Sequence, residues 1–278
     1  MGKFQSADGL GLHYEDGGDG PPVLCLSGLT RNSSDFRYLA PFLPEYRLIR
    51  PDYRGRGLSD HAPDAQSYTI AQEAADAIAL LDHLGLDKVT VLGTSRGGLI
   101  AMLLAHTHPE RLNGIILNDI GPEVTQTGIA RIMDYVGRPP TFADYAEAAT
   151  ALKEMNEPAF PGVTHNRWRV QAEMMWCAKP GGGLGLRYDP RLRDALEGQA
   201  GAGPAPDLWA LFDAAARLPL TALRGANSDL LSDETFAKMR DRAPEMRAVI
   251  VPDRGHVPFL DEAEALKAIR AHLEDHGK

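Results

Sequence analysis

The sequence predicts an α/β fold in which helices cover both faces of a mostly parallel sheet of eight strands. Three observations predict it. Short apolar runs alternate with segments of helical spacing in residues 1–121 and 209–278, which is the pattern of a parallel sheet with crossover helices. Residues 122–208 break this alternation with several helical pieces. A G-x-S-x-G pentapeptide falls between a predicted strand and a predicted helix. We therefore expect a core domain of residues 1–121 and 209–278 and a helical cap of residues 122–208.

The first part of the core begins with an antiparallel hairpin and then changes to alternating strands and helices. Asp8-Gly9 is a turn dipeptide between two strand-like runs. A helix begins near Thr69 and stops at Gly85, because apolar residues recur at helical spacing between them. The predicted strands are Lys3 to Ala7, Leu10 to Glu15, Val23 to Leu26, Arg47 to Pro51, Lys88 to Leu92 and Leu112 to Asn118, and a second helix covers Gly98 to His106.

Regular alternation returns after the cap. The cap contains a run of loop-forming residues, Lys179 to Gly183, and no convincing strand. The stretch Glu197 to Pro206, rich in Ala, Gly and Pro, is expected to be the flexible return to the core. The remaining predicted elements are the strands Leu218 to Arg224 and Arg247 to Val251 and the helices Ser232 to Arg242 and Asp261 to Glu274.

Composition excludes several functional classes. The chain has 278 residues, of which 44% are hydrophobic, so it can bury a full-sized core. Its formal charge of −9 repels polyphosphates, and we expect no nucleic-acid partner. Because the sequence shows no leader pattern and no run of about 18 apolar residues, we expect a cytoplasmic protein without a membrane partner. Two cysteines and the absence of an HExxH spacing favour neither a disulfide framework nor a metal, and we expect no cofactor.

A nucleophilic serine is the strongest chemical prediction. Residues 93–97 read GTSRG, and a strand before and a helix after such a pentapeptide are the context of a nucleophile elbow. The sharp turn strains the central residue, so its neighbours must be small, and Gly93, Gly97 and Gly98 meet that need. We therefore predict that Ser95 is a covalent nucleophile.

A serine hydroxyl needs a histidine base that a carboxylate orients, and in this fold their chain order is serine, acid, histidine. His256 follows the last predicted strand and satisfies the order. For the carboxylate we favour Asp229, which follows the penultimate core strand; Asp119, at the end of the strand Leu112 to Asn118, is the alternative. Two backbone amides are expected to bind the oxyanion, those of Leu29 and Arg96.

Several separate stretches together resemble the α/β-hydrolase superfamily along nearly the whole chain. They are the loop DYRGRGLS at residues 52–59, the elbow GTSRGG at residues 93–98 and the RGH at residues 254–256. The resemblance implies the α/β-hydrolase fold and an activity from a broad range that includes esterases, lactonases and carbon-carbon bond hydrolases. A serine at position 95 disfavours the dehalogenases and epoxide hydrolases, which use aspartate there.

The expected activity is hydrolysis of a carboxylic ester, or a lactone, of a small to medium hydrophobic substrate by a monomer or homodimer. A carbon-carbon bond hydrolase, an acyltransferase and a low-turnover ligand receptor remain the alternatives. Apolar cap residues predicted to line the pocket are Met133, Trp168, Met175 and Trp176. Cap arginines available for a substrate carboxylate are Arg131, Arg138, Arg167, Arg169 and Arg187.

Overall fold

A computed structural model describes residues 1–201 and 207–277 and contains the predicted eight-stranded sheet. In chain order its strands are β1 (Gly2–Gln5), β2 (Gly11–Gly17), β3 (Pro22–Leu26), β4 (Arg47–Pro51), β5 (Val89–Thr94), β6 (Leu112–Asn118), β9 (Leu220–Gly225) and β10 (Arg247–Val251). Their spatial order is β1-β2-β4-β3-β5-β6-β9-β10. β2 is antiparallel to β1 and β4, and all other pairs are parallel. The carboxyl ends of the six parallel strands therefore share one edge.

Helices pack on both faces of this sheet. The core helices are α1 (Ile70–His83), α2 (Arg96–Thr107), α7 (Trp209–Ala215), α8 (Asp233–Arg242) and α9 (Ala263–His276). Residues of α1, α2, α7 and α8 share one buried cluster with Leu24 and Leu26, whereas α9 and a short helix at residues 33–37 share another with Val23 and Cys25. A strand that is buried on both faces needs apolar residues at every position, which explains the uninterrupted run of β3.

The predicted elements agree closely with the observed ones. The strands β4, β6 and β10 have the predicted bounds, and the Asp8-Gly9 hairpin forms between β1 and β2. Helix α1 starts where it does because the Thr69 hydroxyl accepts the N–H of Gln72 at 3.1 Å. It ends before Gly85, whose φ of +63° lies in the left-handed region.

Between β6 and α7 the chain forms four helices and a small hairpin. The helices are α3 (Gln126–Tyr135), α4 (Tyr145–Asn156), α5 (His165–Met175) and α6 (Leu192–Gly201), and the hairpin consists of β7 (Trp176–Ala178) and β8 (Leu184–Leu186). The prediction of no strand here is wrong, because three-residue strands are too short to show alternation and the run Lys179 to Gly183 is their turn. The predicted flexible return is also wrong for residues 197–201, which belong to α6; residues 202–206 lie outside the described residues.

This inserted segment lies over the carboxyl edge of the sheet. The Tyr68 hydroxyl donates to Asp189 at 2.6 Å. The Asn32 side chain donates to the Met174 carbonyl at 3.1 Å. Each bond joins a loop at that edge to the insertion, so residues 122–208 contact the loops that follow β3 and β4. Within the described residues, no helix has both the length and the apolar character that a membrane crossing requires.

Candidate active site

Ser95 occupies a strained turn between β5 and α2. Its φ of 52° and ψ of −116° are rarely adopted by residues with a side chain. The turn is tight enough to exclude larger neighbours: a Cβ at Gly97 would lie 2.1 Å from the Leu26 carbonyl oxygen, and one at Gly93 would lie 2.5 Å from Gly97. The predicted need for small residues around Ser95 is therefore confirmed.

His256 reaches Ser95 from the loop after β10. Its Nε2 atom lies 3.0 Å from the Ser95 Oγ, a distance at which the hydroxyl donates a hydrogen bond to a neutral imidazole whose proton is on Nδ1. These two residues are 161 positions apart in the chain. The parallel sheet brings them together because β5 and β10 end at the same edge.

Asp119, and not Asp229, is the carboxylate beside His256. Its Oδ2 atom lies 2.7 Å from the His256 Nδ1. Asp119 is fully buried, and it also accepts the N–H of Gly225 at 2.7 Å and the hydroxyl of Ser228 at 2.6 Å. These donors hold the carboxylate in the orientation that keeps the imidazole proton on Nδ1.

The prediction that Asp229 orients His256 is wrong. Asp229 has a side chain that is 31% exposed, and it pairs with Arg131 at 2.8 Å. Gly225 and Ser228, in the turn before Asp229, both donate hydrogen bonds to Asp119 instead. Asp119 directly follows β6, the immediate neighbour of β5 in the sheet, so knowledge of the strand order is the signal that identifies it.

Of the two amides predicted to bind the oxyanion, one belongs to the residue after Ser95 and the other to a loop beside Ser95. A Cβ on Gly28 would be 3.9 Å from the Ser95 Cβ, so the loop that carries Leu29 runs beside the serine. The Leu29 N–H has no acceptor among the hydrogen bonds of the described residues. Arg96 is the first residue of α2, where the backbone N–H has no partner within the helix. Both amides are free to donate, and their role stays a prediction.

A buried ionic network that the sequence analysis missed joins these two amide-bearing segments. Glu73 on α1 accepts the Arg96 Nε at 2.5 Å and pairs with the Arg56 Nη2 at 3.0 Å. Arg56 in turn donates through Nε to the Leu29 carbonyl at 3.1 Å. The sequence signal for this network is Glu73 itself, a carboxylate among the apolar residues of the predicted helix. Because a buried charge is retained only when it is paired, such a residue indicates a buried partner.

The predicted pocket residues fall in two places. Trp168 lies in the core of the insertion, with its ring centroid 5.6 Å from that of Phe160, and Met175 and Trp176 pack partly buried against the same cluster. Met133 belongs to a different cluster, which also contains Leu29.

The fold is that of a known family. Residues 21–263 match the family described as the alpha/beta hydrolase fold, and the chain belongs to it. The chain is 37% identical to the 3-hydroxybutyrate-oligomer hydrolase of Cupriavidus necator, over 95% of this chain and 94% of that protein.

Two solved structures extend the comparison. An α/β hydrolase from Novosphingobium aromaticivorans is 42% identical with a TM-score of 0.91, covering 98% of this chain and 96% of its own. A thermophilic esterase from Thermogutta terrifontis, solved with malate bound, is 26% identical with a TM-score of 0.74 over 99% of both chains. These matches confirm the predicted fold class.

Proposed function

We propose that this protein is a serine hydrolase that cleaves carboxylic esters through an acyl-enzyme on Ser95. One observation carries the proposal: the hydrogen-bonded series from Ser95 Oγ to His256 Nε2 at 3.0 Å and from His256 Nδ1 to Asp119 Oδ2 at 2.7 Å. Nucleophile, base and orienting acid at these separations are the arrangement that acyl transfer requires.

The proposed reaction has two halves. In the first, the Ser95 oxygen attacks the ester carbonyl while His256 Nε2 takes its proton, and the buried Asp119 stabilises the imidazolium. The Leu29 and Arg96 amides donate to the oxyanion, and the alcohol leaves with the proton from His256. In the second half, His256 takes a proton from water while the water oxygen attacks the acyl carbonyl. The acid is then released as the Ser95 oxygen recovers the proton from His256.

Relatives point to a short hydroxy-acid ester as substrate. The 37% identical relative is a hydrolase of 3-hydroxybutyrate oligomers, and the Thermogutta esterase holds malate. Such oligomers are chains of esters, and a lactone is the internal ester of the same kind of acid, so one mechanism serves both. We further propose that residues 122–208 act as a cap that selects the substrate, with Met133 among the residues lining its pocket.

Ester hydrolysis by Ser95→Ala tests the proposal. p-Nitrophenyl esters from acetate to decanoate are assayed together with labelling by a fluorophosphonate, which reacts with activated serines. We expect the wild type to turn over short esters and take up one label, and Ser95→Ala to do neither. Ser67→Ala is the matched control, because the Ser67 hydroxyl donates to the Asp64 carbonyl in a surface turn.

Labelling that persists in Ser95→Ala would place the nucleophile elsewhere. Wild-type labelling without turnover would favour a ligand receptor. Faster acyl release on addition of an alcohol, with the ester of that alcohol as product, would favour an acyltransferase.

A further inference from the structure

Arg31 lies close to Ser95 on the loop after β3. The loop turns at Gly28, whose carbonyl accepts the Arg31 N–H at 3.1 Å. A Cβ on Gly28 would contact the Arg31 Cγ at 3.3 Å and the Ser95 Cβ at 3.9 Å. The Arg31 side chain therefore starts beside the proposed nucleophile.

Only part of the Arg31 guanidinium is occupied. Its Nε donates to both carboxylate oxygens of Asp35 at 2.8 and 2.9 Å, and its Nη2 contacts Asp35 and the Gln171 Oε1, each at 2.7 Å. The two N–H groups of Nη1 have no acceptor among the described residues, and this atom is not one of the fully buried unpaired atoms. Asp35 and Gln171 thus hold the guanidinium while one donor group stays accessible.

The Arg31 side chain and a tyrosine near its loop are both partly accessible. The Arg31 side chain keeps 18% of its surface accessible. Tyr135 on α3 is 44% exposed, and its neighbours Met133 and Val136 share a hydrophobic cluster with Leu29, so α3 packs against the loop that carries Arg31. Both side chains therefore present polar groups near the loop beside Ser95.

The chemistry of these accessible groups selects the ligand. Nη1 offers two N–H donors and no acceptor, and the Tyr135 hydroxyl can add a third donor. Asp35 binds the Nε and Nη2 groups of the guanidinium, so Nη1 is the part that remains available to a second anion. Charge-assisted donors of this kind favour a carboxylate over a neutral oxygen.

Arg31 differs from the five arginines predicted from the cap sequence because it lies on the loop beside Ser95. Of those five, Arg138 is exposed and the other four have partners in the insertion or its surroundings. Arg131, Arg167 and Arg169 are already paired with Asp229, Asp261 and Glu173. Arg187 donates to the carbonyls of Glu173 and Trp176.

We propose that Arg31, assisted by Tyr135, binds a carboxylate group of the ester substrate and so makes the enzyme selective for esters of carboxylate-bearing acids or alcohols. The proposal rests on ester hydrolysis at Ser95.

Two pairs of esters that differ by one carboxylate test it. 4-(Butanoyloxy)benzoate is compared with phenyl butanoate, and monophenyl glutarate is compared with phenyl pentanoate, so that the charge lies on the alcohol side in one pair and on the acyl side in the other. We expect the wild type to prefer the charged ester of one pair. Arg31→Gln should lower kcat/KM for that ester about 10- to 100-fold relative to its neutral partner, and Tyr135→Phe should lower the same ratio less.

Arg37→Gln is the matched control, because it removes the same charge from an exposed position on the short helix after Arg31. Its ratio should equal that of the wild type. Competitive inhibition of the wild type by 3-hydroxybutyrate against phenyl butanoate provides a measurement that no variant's folding affects.

Turnover of neutral esters together with Ser95 labelling reports on the hydrolase itself, whereas the charged-to-neutral ratio reports on Arg31. Equal ratios for wild type and Arg31→Gln in both pairs, or no wild-type inhibition by 3-hydroxybutyrate, would overturn the proposal and leave ester hydrolysis standing.

Discussion

At the scale of single residues, the candidate site depends on two side chains in strained backbone positions. Ser95 and Asp119 have φ values of 52° and 56°, conformations that persist only where the surrounding structure enforces them. At Ser95 the close approach of glycines enforces it. At Asp119 the carboxylate is held by the Gly225 N–H and the Ser228 hydroxyl. Both side chains are thereby aimed at His256 before any substrate binds.

Replacing Asp119 tests which aspartate serves His256. Asp119→Asn keeps the shape but presents an amide that no longer favours the Nδ1–H tautomer, so we expect kcat for a p-nitrophenyl ester to fall about 10³- to 10⁴-fold. Asp229→Asn is the matched control and should change kcat less than about threefold, since an exposed ion pair contributes little. A large loss in Asp229→Asn with a small one in Asp119→Asn would restore the original assignment.

At the scale of elements, α1 carries two buried carboxylates with different partners. Glu73 joins Arg56 and Arg96, the residues that hold the Leu29 carbonyl and begin α2. Asp76, three residues further on, accepts two hydrogen bonds from Arg54 at 2.7 and 2.8 Å. The helix therefore offers one carboxylate that contacts Arg56 and Arg96 directly and one that contacts neither.

Glu73→Gln should impair turnover more than substrate binding. Loss of the charge frees Arg56 and Arg96, so the Leu29 and Arg96 amides lose their fixed positions. Removing a whole oxyanion donor costs about 10²- to 10³-fold in kcat, and we expect misplaced donors to cost about 10-fold or more, with KM nearly constant. Steady-state kinetics on p-nitrophenyl butanoate measures both constants.

Asp76→Asn is the control for Glu73→Gln, because both variants remove a buried carboxylate from an arginine and cost stability. Each is assayed at a temperature at which circular dichroism shows it folded. Equal losses of kcat in the two variants would mean that Glu73 acts only through stability.

At the scale of the whole molecule, α9 closes one face of the sheet around a buried histidine. The His272 Nδ1 lies 2.9 Å from the Thr221 hydroxyl of β9, and the residue is 1% exposed. Burial, with smaller contributions from His276 and Arg247, lowers the pKa of His272 from 6.5 to about 3. The folded protein therefore keeps this imidazole neutral at pH values at which the unfolded chain protonates it.

Stability should fall on acidification because of this histidine. Above pH 6.5 His272 is neutral in both the folded and the unfolded protein, and the free energy of unfolding is at its full value. As the pH falls from 6.5 towards 3, only the unfolded chain protonates this residue. The free energy of unfolding then falls with a slope approaching about 1.4 kcal/mol per pH unit. Urea unfolding at a series of pH values measures the free energy. In His272→Gln the slope should be shallower by that amount, and His106→Gln, at an exposed position near the end of α2, should match the wild type. Identical slopes in all three proteins would contradict the assignment.

The prediction of elements from sequence succeeded where one periodicity extended over several residues and a turn or cap bounded it. The strand Leu112 to Asn118 and the helix after Thr69 are examples. The hairpin β7-β8 was missed because six strand residues in two short pieces carry too little pattern. The strand, the helix and the hairpin all form between residues that are close in the chain, so the length of the pattern decided which of them could be predicted.

The sequence by itself determined the α/β fold class, the nucleophile elbow around Ser95 and the placement of His256 after the last strand, because each follows from local pattern and chain order. Only the tertiary structure decided between Asp119 and Asp229, linked Glu73 to Leu29 and Arg96, and placed Arg31 on the loop beside Ser95. Those features depend on strand order and on contacts between residues as far apart as Asp119 and His256, which are 137 positions apart. Local periodicity carries no information about which strands are neighbours, and hydrogen-bond geometry exists only once they are.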